Sequence, residues 1–359
     1  MPESTAQSAD HDVAAAEIVA AQLSDSYGLP VADLAFLGGE LDRNYRVSTR
    51  DGREFLAKLR TKADRNGELQ WQKEILLHLA HRTSGGHLGV AVPSLVRTLD
   101  GDLDIGIDVG SERWLLTLLN WVPGTDMVRV AEHSPELLLD IGATAARVTR
   151  ALEGFESTTI HTTHHWDITR AAEVIEECLA LDPTLGGSSE AQTALQWFKR
   201  VQPLLSTLPA AMVHNDLNDN NVLVGVRDGV QRVTGILDFN DALYTVRVAE
   251  PAIAGAYAML RKDDPLTAMG LVIAGYHRVT PLTDDELTVA YPLAAARLAM
   301  QALTWGLRGQ TDPTEYGAMR MQHTLPTLHR IMQIDPHTAS EHLHASCGRR
   351  GATRPETRS

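Results

Sequence analysis

His214-Asn215-Asp216-Leu217-Asn218-Asp219-Asn220-Asn221, followed by Ile236-Leu237-Asp238-Phe239, sets two carboxylates and an amide in the pattern that phosphoryl transfer requires. A carboxylate at Asp216 can take the proton of an attacking hydroxyl. Asn221 and Asp238 offer hard oxygen atoms to a Mg²⁺ ion that bridges nucleotide phosphates. Ala211-Met212-Val213 runs apolar into the motif, and Val222-Leu223-Val224-Gly225-Val226 leaves it with β-branched, strand-like character. Arg227-Asp228-Gly229 reads as a turn and Val230 to Leu237 as a second strand. Such a hairpin brings Asn221 and Asp238 together although they are distant in the chain. A polar loop between buried strands would also favour Asp and Asn, because both make turns. The His-x-Asp-x4-Asn spacing, its apolar flanks and the later Asp-Phe together favour the catalytic reading over that one.

These stretches resemble the aminoglycoside phosphotransferase family, whose members carry His-Gly-Asp-x4-Asn and a later Ile-Asp-Phe-Gly or Ile-Asp-Phe-Asp. Within it the chain is most similar to the hydroxylysine kinase branch. The resemblance includes Arg247-Val248-Ala249-Glu250-Pro251-Ala252-Ile253-Ala254 and a run from Ala296-Arg297-Leu298-Ala299 to Pro313-Thr314-Glu315-Tyr316, and it spans about Val13 to Ile334. It implies an α+β, two-lobed, protein-kinase-like fold, with a small N-terminal antiparallel-sheet lobe and a larger, mainly helical C-terminal lobe. Asn215 stands where the family has Gly, and Asn240 where Gly or Asp follows Asp-Phe; Asn tolerates left-handed backbone angles, so the loop geometry survives both changes.

Length and composition agree with two lobes. The 359 residues are too many for one small core, and 43% hydrophobic with 22% charged residues is ordinary for a globular protein. No apolar run reaches the ~18 to 20 residues that cross a bilayer, and Met1 to Asp10 lacks the basic and apolar regions of a secretory signal, so a cytoplasmic location without membrane attachment is expected. Cys178 and Cys347 are too few for a disulfide framework, and Cys178 reads as a buried small hydrophobe. A formal charge of −14 argues against nucleic-acid binding and suits a cationic substrate.

Past a disordered terminus over 1–10, Val13, Ala16, Ala20, Leu23 and Tyr27 recur at helical spacing until Gly28-Leu29-Pro30 stops the helix. Leu34–Leu37, Asn44–Thr49 and Glu54–Leu59 read as three strands, separated by Gly38-Gly39 and by Asp51-Gly52. A helix over 64–81 follows, and then the apolar run Trp114 to Leu119. This N-terminal lobe, 11–119, gives way to a hinge over 120–124 and a C-terminal lobe over 125–335. In the second lobe, helices are expected from Ser134-Pro135, from Ile168 to Leu181, from the capping box Ser189-Glu190-Ala191-Gln192 to near Leu208, over Val248–Leu260 and Asp264–Tyr276, and from Thr283 to Leu307. His161-Thr162-Thr163-His164-His165 has the short spacing of a metal site but no cysteine to complete it, and reads as a polar loop. Residues 336–359 read as a disordered tail.

The resemblance further implies site residues. Gly38 and Gly39 form the turn over the nucleotide phosphates, where absent side chains let backbone N–H groups approach the anion. Lys58 steadies those phosphates, as the third-strand Lys does in protein kinases, and the helix residue facing it is Gln72, with Glu68 one turn earlier as the alternative. Asn120 and Val122 meet the purine edge through main-chain groups, and GTP can replace ATP as donor. Asp216 is the catalytic base, and Asn221 with Asp238 hold Mg²⁺. Asp241 and Glu250 are candidates for an acceptor's ammonium; Arg297 either pairs with a substrate carboxylate or anchors helices. The expected partner is a small hydroxylated amine or amino acid of the hydroxylysine type. Homoserine, choline or an aminoglycoside are alternative acceptors, and a nucleotide-binding pseudokinase is the non-enzymatic alternative. Oligomeric state is not legible in the chain.

Overall fold

The computed structural model describes residues 16–38, 42–60, 67–83, 88–109, 112–157 and 164–348. They fall into two units. Unit 1 holds the described residues up to His81 with Val92–Pro123, and unit 2 holds Arg82–Ala91, Gly124–Glu156 and the described residues from His164 onward. The expectations placed on residues 1–15, on Gly39, on His161 and on residues 349–359 lie outside the described residues.

In unit 1, helix α1 (16–27) ends where Gly28 takes φ 64°, and the Gly28 and Leu29 amides bond back to Ser24 and Leu23. The sheet is antiparallel and runs in the order β1 (Val31–Gly38), β2 (Asp42–Thr49), β3 (Glu54–Arg60), β5 (Glu112–Asn120), β4 (Asp104–Val109). One face buries Tyr45, Val47, Phe55, Ala57, Leu59, Leu116 and Leu118 against α1. The sequence reading did not anticipate β4, whose Ile105, Ile107 and Val109 alternate with polar residues and glycine as a half-buried strand must. Helix α2 (Glu68–Thr83) buries Leu69, Ile75, Leu76 and Leu79 as its spacing predicts.

Unit 2 begins at Gly124. Strand β6 (Thr125–Asp126) pairs with β8 (Val222–Arg227), which forms a hairpin with β9 (Val230–Ile236). Asp228 and Gly229 both take positive φ, 53° and 75°, as a tight turn with the twist of its strands requires. Strand β7 (Ala210–Val213) pairs with β10 (Leu243–Val246), so the chain enters and leaves the motif region side by side. Helices α3 (Pro135–Ala151), α4 (Ala171–Leu181), α5 (Ser188–Leu205), α6 (Ala249–Ala258), α7 (Pro265–Val279), α8 (Asp284–Thr311), α9 (Glu315–Ile331) and α10 (Pro336–Ser346) make up the rest. Backbone approach of α3 to α7 depends on Gly142 and Gly275: a Cβ on either would collide with a carbonyl of the other helix, Val272 or Leu139. The Thr283/Glu286 capping box opens α8 as expected. By contrast α5 starts on Gly187 at φ 88°, a residue with no side chain to cap with, so Ser189 falls inside the helix and its Oγ donates to Glu190.

One domain expectation is corrected. Residues 336–346, read as part of a disordered tail, form α10. Asp335 Oδ1 accepts from the His337 and Thr338 amides, Pro336 occupies the first turn, and Ala339 and Leu343 are buried. Among the described residues no helix is long and apolar enough to cross a membrane.

Candidate active site

The site in unit 2 is built on the chain between β7 and β8 and the turn after β9. Asn215 adopts φ 65°, so the residue in the family's glycine position takes the left-handed conformation that Asn tolerates. Its amide donates to Glu250 Oε2 at 3.0 Å. His214 stitches the two loops together: its Nδ1 accepts from the Asp216 amide (3.2 Å), its Nε2 donates to the Leu237 carbonyl (2.8 Å), and its ring lies 4.5 Å from that of Phe239. The Leu237 amide donates to the Asn221 carbonyl at 2.8 Å, which sets Asp238 one residue from the backbone of Asn221.

Side chains converge on Asp216. Its Oδ2 accepts from Asn221 Nδ2 (2.8 Å) and Asn218 Nδ2 (2.7 Å), and its Oδ1 accepts from Arg297 Nη2 (2.6 Å). Asn218 also shapes the loop, its Oδ1 accepting from the amides of Asn220 (2.8 Å) and Asn221 (3.3 Å). Burial pushes the Asp216 carboxyl up to about 6 even though the Arg297 charge opposes it, and the neighbouring Asp241 adds to the rise. Asp241 is burdened by burial too, yet His164 beside it (Nε2 to Oδ1, 3.1 Å) and Arg297 bring its carboxyl below the ordinary value. His164 was read only as part of a polar loop. Asp219, also unassigned from sequence, is buried and paired with Arg320 on α9 (2.9 Å).

Two acceptor-binding expectations are corrected. Glu250 is fully buried, and its Oε2 holds the Asn215 backbone. Arg297 is 1% exposed, and each of its three nitrogens donates within the protein: to Asp216, to the Trp166 carbonyl (3.1 Å) and to the Tyr257 hydroxyl (3.3 Å); its guanidinium lies 4.7 Å from the centroid of the Trp166 ring. Of its two readings, the helix anchor describes it and the substrate-carboxylate contact does not. Asp241, with its side chain 23% exposed, is the acceptor candidate left accessible.

In unit 1, Gly38 has φ 85° and its carbonyl accepts from Asn44 Nδ2 (2.9 Å). Lys58 Nζ lies 3.3 Å from Asp42 Oδ2. The expected Gln72 contact is corrected: among the described residues no hydrogen bond joins Gln72 to Lys58, whose ammonium lies instead beside the β2 carboxylate of Asp42; the side chain of Glu68 lies outside the described set. The Asn120 amide donates to the Ser94 carbonyl (2.9 Å), whereas the Val122 main chain has no hydrogen-bond partner among the described residues.

The donor set suits Mg²⁺. Asn221 gives its amide N–H groups to Asp216, which turns its carbonyl oxygen away as a free acceptor, and Asp238 is an exposed carboxylate held at φ 57°. One carboxylate and one amide oxygen, completed by phosphates and water, is how proteins hold this cation.

The family profile described as "Phosphotransferase enzyme family" matches residues 33–302. Hydroxylysine kinase of Xenopus laevis is 31% identical over 309 residues, covering 80% of this chain and 81% of that protein. Hydroxylysine kinase of Bos taurus is 29% identical over 305 residues, covering 78% and 79%. Among solved structures, an amicoumacin kinase in complex with AMP-PNP and Ca²⁺ superposes with a TM-score of 0.62 at 15% identity, covering 89% of this chain and 96% of that one, which shows the shared kinase-like fold. With a profile over most of its length and relatives over four-fifths of it, the chain belongs to the phosphotransferase enzyme family and is a phosphotransferase with an alcohol group as acceptor.

Proposed function

We propose that this protein transfers the γ-phosphoryl group of ATP or GTP to a hydroxyl of an amino alcohol or hydroxy amino acid, with hydroxylysine as the first candidate. The observation that carries the reading is the convergence of Asp216, Asn221 and the Asp238 turn through the His214 and Leu237 hydrogen bonds. The names of the full-length relatives supply the acceptor class.

Asp216 orients the acceptor hydroxyl and takes its proton as attack on the γ-phosphorus proceeds. Its oxygens accept from Asn218, Asn221 and Arg297, which lock its rotamer and leave one lone pair, on Oδ1, for the hydroxyl. Asn221 and Asp238 would hold Mg²⁺, which when bound neutralises charge on the nucleotide phosphates. Lys58, with the Gly38 turn, is the candidate phosphate contact, and the unpartnered main chain of Val122 suits the purine edge. Asp241 pairs with the acceptor's ammonium, its carboxylate kept ionised by His164 and Arg297.

A homoserine acceptor is the second reading. Homoserine kinase of Paramagnetospirillum magneticum is 38% identical over 101 residues, although that stretch is 27% of this chain and 31% of that protein. The test supplies Mg²⁺ with ATP or GTP, screens hydroxylysine, homoserine, choline, aminopropanol and kanamycin, and follows nucleoside diphosphate release. A hydroxylysine-dependent signal that disappears in Asp216→Asn, with nucleotide still bound, is expected. Turnover of homoserine alone would replace the acceptor, and full activity of Asp216→Asn would remove the proposed base.

A further inference from the structure

The pleat of β2 and β3 puts Asp42, Asn44, Lys58 and Arg60 on one face of the unit 1 sheet, since Tyr45, Ala57 and Leu59 between them point into the apolar core. Asp42 pairs directly with Arg60 in the ladder, and Asn44 with Lys58, so Asp42 and Lys58 are diagonal neighbours. Arg60 Nε lies 2.6 Å from Asp42 Oδ1, Arg60 Nη2 lies 3.3 Å from Oδ2, and Lys58 Nζ lies 3.3 Å from the same Oδ2. The three side chains are 6 to 13% exposed.

We propose that Asp42 is the positioning residue for Lys58: a strand-borne carboxylate sets the phosphate-binding ammonium, where protein kinases use a glutamate on the following helix. The inference rests on the phosphate role of Lys58 proposed above. Arg60 takes the shorter of the two contacts and keeps Asp42 anchored, while Lys58 is held by one longer contact that leaves its other protons for an anion. Because both partners belong to adjacent strands, the ladder register brings the Asp42 carboxylate to Lys58. Burial opposes the Asp42 charge, but the contacts from Arg60 and Lys58 outweigh it and hold the carboxyl below its ordinary value. Asn44, opposite Lys58, reaches the Gly38 carbonyl, so the same strand pair also ties the end of the glycine turn.

Calorimetric titration of the full-length chain with AMP-PNP and with GMP-PNP, in Mg²⁺, tests the proposal without requiring the acceptor. Asp42→Asn and Lys58→Met should each weaken the preferred analogue on the order of tenfold or more, the loss expected for one charge-assisted contact. The double variant should be no weaker than Lys58→Met alone, because Asp42 acts through Lys58. Arg60→Gln removes a comparable buried partner from Asp42 and should lower the melting temperature while weakening the nucleotide less than Asp42→Asn does. Should Asp42→Asn fail to fold, Asp42→Glu, which displaces the carboxylate by one methylene, is expected to fold and to bind the analogue more weakly. Wild-type affinity in the folded Asp42 variant, or additive losses in the double variant, would overturn the positioning role. Wild-type affinity in Lys58→Met alone would instead show that the phosphate reading of Lys58 has failed.

Discussion

Arg297 Nη2 lies 2.6 Å from Asp216 Oδ1, a contact between residues 81 positions apart that joins α8 to the loop before β8. A buried guanidinium, stacked near Trp166, thus fixes the rotamer of the proposed base and limits how far burial raises its carboxyl.

Arg297→Lys should therefore cost both activity and stability. A lysine keeps the charge but loses the fork that contacts Asp216, Trp166 and Tyr257 together. Breaking a buried pair of this kind costs about 3 kcal/mol. Urea unfolding should show a loss of that order, and kcat should fall about tenfold to a hundredfold with little change in nucleotide affinity, since the displaced group is the base.

Glu250 holds the left-handed Asn215 from below, so its replacement should act on the loop and not on substrate affinity. Glu250→Ala leaves the Asn215 amide without its acceptor and should destabilise by about 1–3 kcal/mol, whereas Glu250→Gln keeps an acceptor and should cost less. Melting curves compared with acceptor KM check this; a large rise in KM with unchanged stability would return Glu250 to the acceptor.

Asp241→Asn should raise the KM of amine-bearing acceptors on the order of tenfold while leaving nucleotide KM unchanged, since a charge-assisted contact is lost. Steady-state kinetics with each substrate varied in turn separates the two. Acceptor KM at the wild-type value would dismiss Asp241 as the ammonium partner.

His133 predicts an acid sensitivity. Its Nε2 donates to the Met127 carbonyl (3.1 Å), and burial, reinforced by the Lys262 charge, lowers its pKa from 6.5 to about 4. The folded value lies below the unfolded one, so between those pH values the unfolded chain binds more protons. The contribution is complete above pH 6.5 and is lost as pH falls toward 4, by on the order of 2–3 kcal/mol. Urea unfolding at pH 7 and pH 5 should show the decline, and His133→Gln should flatten it.

The hairpin around Asp228-Gly229, the capping box of α8 and the helix stop at Gly28 were legible because each is decided by neighbours a few residues away. The signals for α10 were also present, in Asp335-Pro336 and the spacing of Ala339 and Leu343, but the surrounding His and Ser concealed them. Asn218 could have been found as well, because an Asn three residues before Asn221 makes the turn that its Oδ1 closes. Glu250 and the undecided pair of readings for Arg297 share one property: both are charged side chains on helices, and a helix position does not reveal whether its charge faces solvent, a ligand or another buried group.

By itself the sequence determined the chemical inventory, namely a carboxylate, an amide and a second carboxylate on loops that a hairpin must bring together, because side-chain chemistry and local backbone preference are short-range properties. Only the tertiary structure decided who holds these groups: Arg297 on Asp216, Glu250 under Asn215, His164 beside Asp241 and Asp42 against Lys58. Those pairings depend on strand register and on which faces helices bury, and a buried charge takes whichever opposite charge the packing brings within reach.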